Sequence, residues 1–577
     1  MEDHWRFLQT SRPELAARGN GIVTSLPDPA LDRAKKDAQF ARAALAALDE
    51  VLVDALTEDD YVTWLSLRWE MEAMAGWPAF HWTNAFHFSP GHSVLDRTIA
   101  ILKSQPISDP GAAQWYVSLV SRVSDLARIL GAEYAERARR DIRLSRPVAE
   151  RAIAHIREFI APPAISPFGL PQEFNAALDT AWQSQFARQV GDVIVQHVNP
   201  SLGSLAELLE GERDRAPDTL GLARFPGGAA HYATLLRYRT TLEITPEDAH
   251  TFGLREVARI ASLAAAARRE AALPVSRDSL RAALRGEPFA LDERNSIPER
   301  VAQLYEAAVR DMDSLFRPVP SMALSIGMTT APSSASPLAT YDAPTFTRPS
   351  AGYLLNTEQL LRKSALTLPG LVAGDLMPGL HLQQGAQFEN AGLPVLRRLW
   401  NHDGFVAGWQ MYALDVTDSL SKTLVPWQRF GLRLRELSAA CGLVVDTGIN
   451  ALGWTRADAL NFLRAYLPDD DADLDRDFIM QAAESPGRLS AATLGAREFR
   501  GLRRWAMHEL GDRFSLAAFH REILRVGSVP LPVLGSHLER WIWEQNHPAP
   551  PPAAVHGQDG RDAVFPFFFG LRLRLLP

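Results

Sequence analysis

Apolar residues along this chain return mainly at three- and four-residue steps, the spacing that lays one hydrophobic stripe along a helix. In "TPEDAHTFGLREVARIASLAAAARREAAL" Thr245 is placed to cap a helix, Pro246 fits its first turn, and Asp248 can reach back to free N–H groups. Leu254, Val257, Ala261 and Ala264 then fall on one face. "TRADALNFL" repeats the device, with Thr455 and Asp458 ahead of Leu460 and Leu463. Phe499, Leu502, Ala506 and Leu510 form a further stripe that stops at Gly511. The pattern predicts a mainly α fold without internal repeats.

Three stretches break the helical regime. "APPAISPFGLPQ" (161–172) is a Pro-punctuated joint, and 317–357, rich in Pro, Ser and Thr, predicts short strands and ordered loops. "HPAPPPAAVHGQDGRD" (547–562) reads as an extended spacer leading to an apolar tail, "AVFPFFFGLRLRLLP". The breaks suggest an N-terminal helical part (1–160), a middle helical part (173–316), a core (317–545), and a spacer with tail (546–577). So apolar a tail is expected to dock on its own domain or on a second copy of the chain, forming a homodimer, rather than on a membrane.

Composition narrows the function. A net charge of -8 with Arg interleaved among Asp and Glu gives phosphates no basic field, which argues against nucleic acid. The single cysteine, Cys441, excludes an intrachain disulfide and a Cys-cluster metal site. No run of roughly 18 apolar residues offers a membrane span. The N-terminal stretch lacks a basic segment followed by an apolar one, so a cytoplasmic protein is expected.

Several motifs in order carry a resemblance. "FPGGAAHYATLLRYRTTLEITPEDAHTFGLREVARI", "YDAPTFTRPSAGYLLNT", "GLVVDTGINALGWT" and "SPGRLSAATLG" resemble the bacterial DUF885 family, from near the N-terminus to about Trp541. The family is regarded as zinc-dependent peptidases with a gluzincin-like layout. The resemblance implies a large multi-helix fold with a few short strands around a deep central cleft.

It also implies a zinc site, and there this chain departs from the pattern. The family's HE..PGHHLQ is "GDLMPGLHLQ" here: Gly374 stands for the first His, Asp375 for the Glu and Leu380 for the next His, while His381 and Gln383 persist. In "FVAGWQMYALDV" Ala407 replaces a candidate third ligand and Asp415 a later Glu, while Gly408, Trp409 and Tyr412 remain. Further on, an Arg becomes Gly442, a His Asn450, and Gln, Tyr and Lys become Arg488, Ala492 and Thr493. Two imidazoles, a base carboxylate and an acidic ligand are what such chemistry needs, and one histidine does not supply them.

Three readings stay open. The preferred one is a metal-free, rewired protein without cofactor. Met377, Leu380, Ala407 and Ala492 make its cleft apolar for a small molecule undergoing cyclisation, isomerisation or elimination. Candidate catalytic groups are His381, Asp375, Arg488 and Tyr412. Candidate substrate contacts are Tyr341, Arg348, Met377, Leu380, Gln383, Ala407, Trp409, Asp415, Asn450 and Ala492. The second is a non-catalytic pseudopeptidase acting as a binding partner. The third is a hydrolase with Asp375, His381 and Asp415 around magnesium or manganese. His81, His87 and His92 lack a usual ligand spacing, and no "GxSxG" presents a serine nucleophile.

Overall fold

Local capping chemistry sets the helix starts. In the computed structural model, which describes residues 2–19, 22–84, 88–91, 93–170, 180–291, 296–329 and 337–547, the Thr245 hydroxyl accepts from the Asp248 N–H at 3.1 Å. The helix it opens runs Pro246–Glu270. Thr455 and Asp458 form a reciprocal capping box ahead of Arg456–Tyr466. The Arg488–Leu510 helix stops at Gly511, whose φ of 51° suits glycine.

The buried faces follow helix–helix distance more than side-chain size. On Pro246–Glu270 the buried stripe is Ala249, Gly253, Val257, Ile260, Ala264 and Ala267, whereas Leu254, placed on the apolar face by periodicity, is 42% exposed. A Cβ on Gly253 would lie 2.9 Å from Val444 and 3.1 Å from Leu443, so the crossing with Pro426–Asn450 requires glycine. The Asp403–Leu420 helix crosses Arg488–Leu510 in the same manner. There a Cβ on Gly408 would meet the Gly495 Cα at 2.6 Å, and one on Gly495 would meet the Gly404 carbonyl oxygen at 2.0 Å. Two helix backbones in direct contact hold their side chains in fixed register.

Pro426–Asn450 lies at the centre, and from Ala440 to Asn450 every residue is buried. One hydrophobic cluster packs residues from the first half, such as Tyr116, Leu130 and Leu202, against Leu437, Val444 and Leu463. A second joins Val62 and Leu236 to Trp409, Phe499 and Trp541. The segments drawn from composition thus share cores.

Near the end of this central helix, fully buried Asp446 accepts from the Gly487 N–H (3.0 Å), the Ser490 N–H (3.2 Å), the Ser490 hydroxyl (2.7 Å) and the Asn450 amide (3.1 Å). It binds the open N–H groups that begin Arg488–Leu510. The Pro- and Ser-rich stretch forms the sheet: β1 Leu324–Thr329, β2 Ala339–Asp342 and β3 Ala351–Asn356. β3 is central, parallel to β1 and antiparallel to β2, with Tyr341 directly opposite Tyr353. The tail beyond His547 and its expected dimer contact lie outside the described residues, as do His87 and His92.

Two substitutions separate the periodicity face from the observed one. Gly253→Leu is expected to cost about 3 kcal/mol or more, or to prevent folding, because the Val444 and Leu443 side chains it would meet are themselves fully buried and have no room to retreat. Leu254→Ala is expected to change stability by less than about 0.5 kcal/mol. Chemical denaturation of both variants checks the pair.

Candidate functional site

The segment 367–389 is built by a backbone that turns on itself. Helix Thr367–Leu371 widens into a π turn, Val372–Leu376, and a new helix, Leu380–Glu389, starts after Gly379. Gly379 passes so near the preceding turn that a Cβ would sit 1.9 Å from the Gly374 carbonyl oxygen. The Trp409 indole N–H clamps the bend, donating to the carbonyls of Pro378 (3.0 Å) and Gly379 (3.3 Å). Asp375 and His381 therefore emerge from two short helices held at a fixed offset.

The sheet lies over this bend and holds both groups. Directly paired residues of antiparallel strands project from the same face, and Tyr341 and Tyr353 are such a pair. The Tyr353 hydroxyl donates to Asp375 Oδ2 at 2.8 Å. The Tyr341 hydroxyl lies 3.0 Å from His381 Nδ1.

Asp375 has two further partners. The Gln410 amide donates to its Oδ1 at 2.9 Å and the Arg435 guanidinium to the same oxygen at 2.6 Å. Arg435 also donates to the Gly370 carbonyl at 2.6 Å. Nearby carboxylate charge holds the Arg435 pKa above its usual range against the cost of burial, and burial with the Asp375 charge raises that of Tyr353. Three donors hold the carboxylate, two on Oδ1 and one on Oδ2.

Arg435 also decides the metal question. A Cβ at Gly374 would lie 3.0 to 3.2 Å from three guanidinium atoms of Arg435, so this cation fills the space into which a residue 374 side chain would point. Gly374, Leu380 and Ala407 offer no ligand atom, and His381 is engaged with Tyr341. The zinc ion implied by the resemblance does not fit this set of residues. A fixed positive charge already neutralises Asp375. Among the described residues the one cluster with ligand-type atoms close together is Glu58, Glu522 and His537, far from this chain segment in sequence. There the imidazole nitrogens face different carboxylates at 2.7 Å each, with Arg525 beside both. That arrangement is an ion-pair clamp.

The profile of a family described as "Bacterial protein of unknown function (DUF885)" matches residues 13–538. The chain belongs to the DUF885 family. A solved structure titled as the "putative lipoprotein from Colwellia psychrerythraea" superposes with a TM-score of 0.84 at 21% identity, covering 92% of this chain and 96% of that one. A second, a "putative lipoprotein of unknown function from Shewanella oneidensis", gives a TM-score of 0.70 at 15% identity, covering 93% and 97%. Likeness at these identities establishes the shared fold. No curated protein matches. Among the described residues no helix is long and apolar enough to cross a membrane.

The residues singled out in this DUF885 chain fall in several places. Asp375, His381, Tyr341 and Trp409 meet at the bend. Met377 is buried in the second core, Leu380 and Ala407 are half-buried, and Ala492 packs beside Ala373, Met411 and Leu414. Tyr412 lies about half a turn from Gln410 on its helix, and its hydroxyl is 2.8 Å from His520 Nε2 in an aromatic core. Gln383 belongs to an amide chain, accepting from Gln384 and donating to Gln387 at 2.7 Å each. Asn450 donates to the Ala482 carbonyl at 2.9 Å and accepts from the Leu222 N–H at 3.1 Å. Asp415 lies 3.9 Å from Arg433. Arg348 is exposed and pairs with Asp342, and Arg488 is exposed near the charge of Asp403.

Arg435, Gln410 and Tyr353 were not among the expected residues. Arg435 follows Arg433 on a helix rich in arginine, and only its approach to Gly374 distinguishes it. Beside the Asp375–Arg435 pair opens a cavity of about 540 Å³. His381, Ala407 and Arg488 do not line it.

Asp375→Ala is expected to lower stability by about 2–4 kcal/mol, because it leaves a largely enclosed guanidinium without its counter-charge. Tyr353→Phe removes one donor and should cost about 1–2 kcal/mol. Urea titration measures both.

Acid sensitivity follows from buried imidazoles. Burial pushes His231 and His381 down to about 4, and His4, His402 and His520 to about 3. Between pH 6.5 and about 4 the unfolded chain takes up protons that these folded positions refuse, so stability falls as pH drops through this window. Asp446, pushed up to about 6 by burial, opposes the trend, as do Glu70 and Glu484, raised by burial, and His537, raised against its burial by Glu522 and Glu58; the five buried imidazoles outweigh them. Each of these imidazoles contributes a loss of about 1 kcal/mol by pH 5.5. The thermal midpoint should decline from pH 7 to pH 5; a flat profile would contradict the assignment.

Proposed function

We propose that this chain is a metal-independent DUF885 protein that binds a small molecule in the cavity walled by Asp375 and Arg435. The observation that carries the reading is the Arg435 guanidinium, 2.6 Å from Asp375 and packed against the Cα of Gly374. It supplies positive charge where the family pattern implies a metal, and it does so at the edge of a cavity of ligand size, about 540 Å³. The lining mixes arginine, lysine and aspartate with leucine, which suits a ligand more polar than the apolar one expected from sequence.

Cyclisation, isomerisation or elimination is the catalytic extension of this reading, and the geometry favours it less than binding, because His381, its acid–base candidate, does not line the cavity. With its pKa lowered to about 4, the imidazole is neutral near pH 7. Tyr341 at Nδ1 selects which ring nitrogen carries the proton. Asp375, held by three donors that include the Arg435 guanidinium, is a positioning residue. Its engagement favours binding over proton transfer at that carboxylate. Cytoplasmic residence and a homodimer formed by the apolar tail belong to the same proposal. Cell fractionation and light scattering on the full chain test them, and a membrane-bound fraction or a monomer would overturn them.

Elemental analysis after incubation with zinc and manganese is the direct test of the main reading. The expected result is far less than one metal per chain, unchanged in Arg435→Ala. One tightly held metal that disappears in Asp375→Ala would overturn metal independence.

A further inference from the structure

The charges around the cavity do not cancel locally. Four of the five acidic groups on its wall are paired with cations. Asp375 is held by Arg435 at 2.6 Å, Asp469 by Lys363 at 2.7 Å, and Asp473 by Lys363 at 2.7 Å and Arg476 at 2.6 Å. Asp477 pairs with Arg476 at 2.8 Å, and Asp470 caps a helix by accepting from the Asp473 N–H at 2.9 Å.

Three cations on the same wall have no such partner. Arg281, Arg285 and Arg362 have no carboxylate within 4.0 Å among the described residues. Asp471, whose charge Arg281 feels, is itself held by Arg464 at 2.9 Å. Arg281 and Arg285 are one helical turn apart, at the end of the Arg277–Leu284 helix and its C-cap, while Arg362 comes from the segment after β3. Two separate elements thus bring free guanidinium groups to one opening. Deeper in the wall the Ser438 hydroxyl and the Gln359 amide make no side-chain hydrogen bond among the described residues. Between these polar groups the lining is apolar, with Leu284, Leu338, Leu371 and Leu434.

From this juxtaposition we infer that the cavity binds an amphipathic organic anion, its acidic group on Arg281, Arg285 and Arg362 and its apolar body along the leucines. The inference rests on the cavity reading above and adds the class of ligand. A guanidinium matches a carboxylate or a phosphate with paired N–H donors, and desolvation beside leucine strengthens those bonds. The volume of about 540 Å³ accommodates a body of roughly eight carbons with its acid. Arg435, tied to Asp375 and Gly370, forms the fixed inner wall rather than the mobile anion contact.

Isothermal titration of the full-length protein with octanoate, octyl phosphate, octanol and inorganic phosphate tests the inference. Octanoate or octyl phosphate should bind, with whichever binds more tightly naming the acid, and octanol and inorganic phosphate should each bind at least roughly tenfold more weakly. Arg281→Gln with Arg362→Gln replaces side chains at the cavity opening, so the fold should survive, and it should weaken the better anion roughly tenfold or more. Ser438→Trp should block the cavity and abolish binding. Equal binding of octanol, no response to the double arginine variant, or no binding of either amphipathic anion overturns the inference. Failure of the parent reading is distinguishable: a metal held by Asp375 would remove metal independence whatever the anions do, and a metal-free protein that ignores both anions would remove the ligand class alone.

Discussion

The contact between Arg435 and the Gly374–Asp375 turn constrains everything around it. A guanidinium is large, always charged and able to donate in several directions, and here it reaches one carboxylate and the Gly370 carbonyl from a central helix. The turn must leave room for it, so residue 374 has no side chain. The carboxylate must face it, and Tyr353 and Gln410 then complete the shell from the sheet and from the Asp403–Leu420 helix. A strand, the π turn and two long helices thus converge on a single ion pair. Such a pair is weak evidence for net stability, since burying both charges costs much of what their attraction returns. Its effect is geometric, because no member can move without leaving another unsatisfied.

That geometry needs rigid helices behind it, and backbone contact supplies the rigidity. Gly408 against Gly495 places two helices closer than any side chain between them would allow, and Gly253 leaves the room that the Val444 and Leu443 side chains fill. Dispersion contacts between two backbones are numerous and leave no rotamer freedom. Asp446 then ties the start of Arg488–Leu510 to the central helix through bonds from Gly487 and Ser490. A charged acceptor at a helix start, itself enclosed, resists the sliding that glycine-lined crossings would otherwise permit.

The sequence was legible where structure is local. Thr245 and Thr455 announce helix starts because capping involves residues three positions apart, and Gly511 announces a stop because of its own backbone angles. The same reading misplaced Leu254, because periodicity weighs side-chain size while the crossing at Gly253 is decided by its absence. At the candidate site the departures from the resembled pattern at 374, 380 and 407 were visible as letters, yet the guanidinium that fills the space at Gly374 was not. Arg435 is 61 positions from Gly374 in the chain, and nothing in "GLRLRELSAA" marks one arginine as special. Tyr341 was legible and its cross-strand partner Tyr353 was not, because strand register is a long-range fact.

The distribution of free and engaged groups gives the site its chemical character. Polar side chains in the interior of a folded chain generally satisfy one another, and at the bend they do: Asp375 has three donors and His381 has Tyr341. In the cavity beside them four of five acids pair with cations, while three arginines at its mouth have no carboxylate partner among the described residues. A surface meant only to be solvated has no need to pair four of five acids on a concave wall. A wall that accepts an anion gains from such pairing, since each free carboxylate there would repel the ligand. The pairing of Asp469, Asp473 and Asp477 with Lys363 and Arg476 therefore acts by removing negative field as much as by holding the fold. The Arg435 guanidinium beside Gly374 extends the same pattern inward, because it leaves a fixed positive charge in the wall.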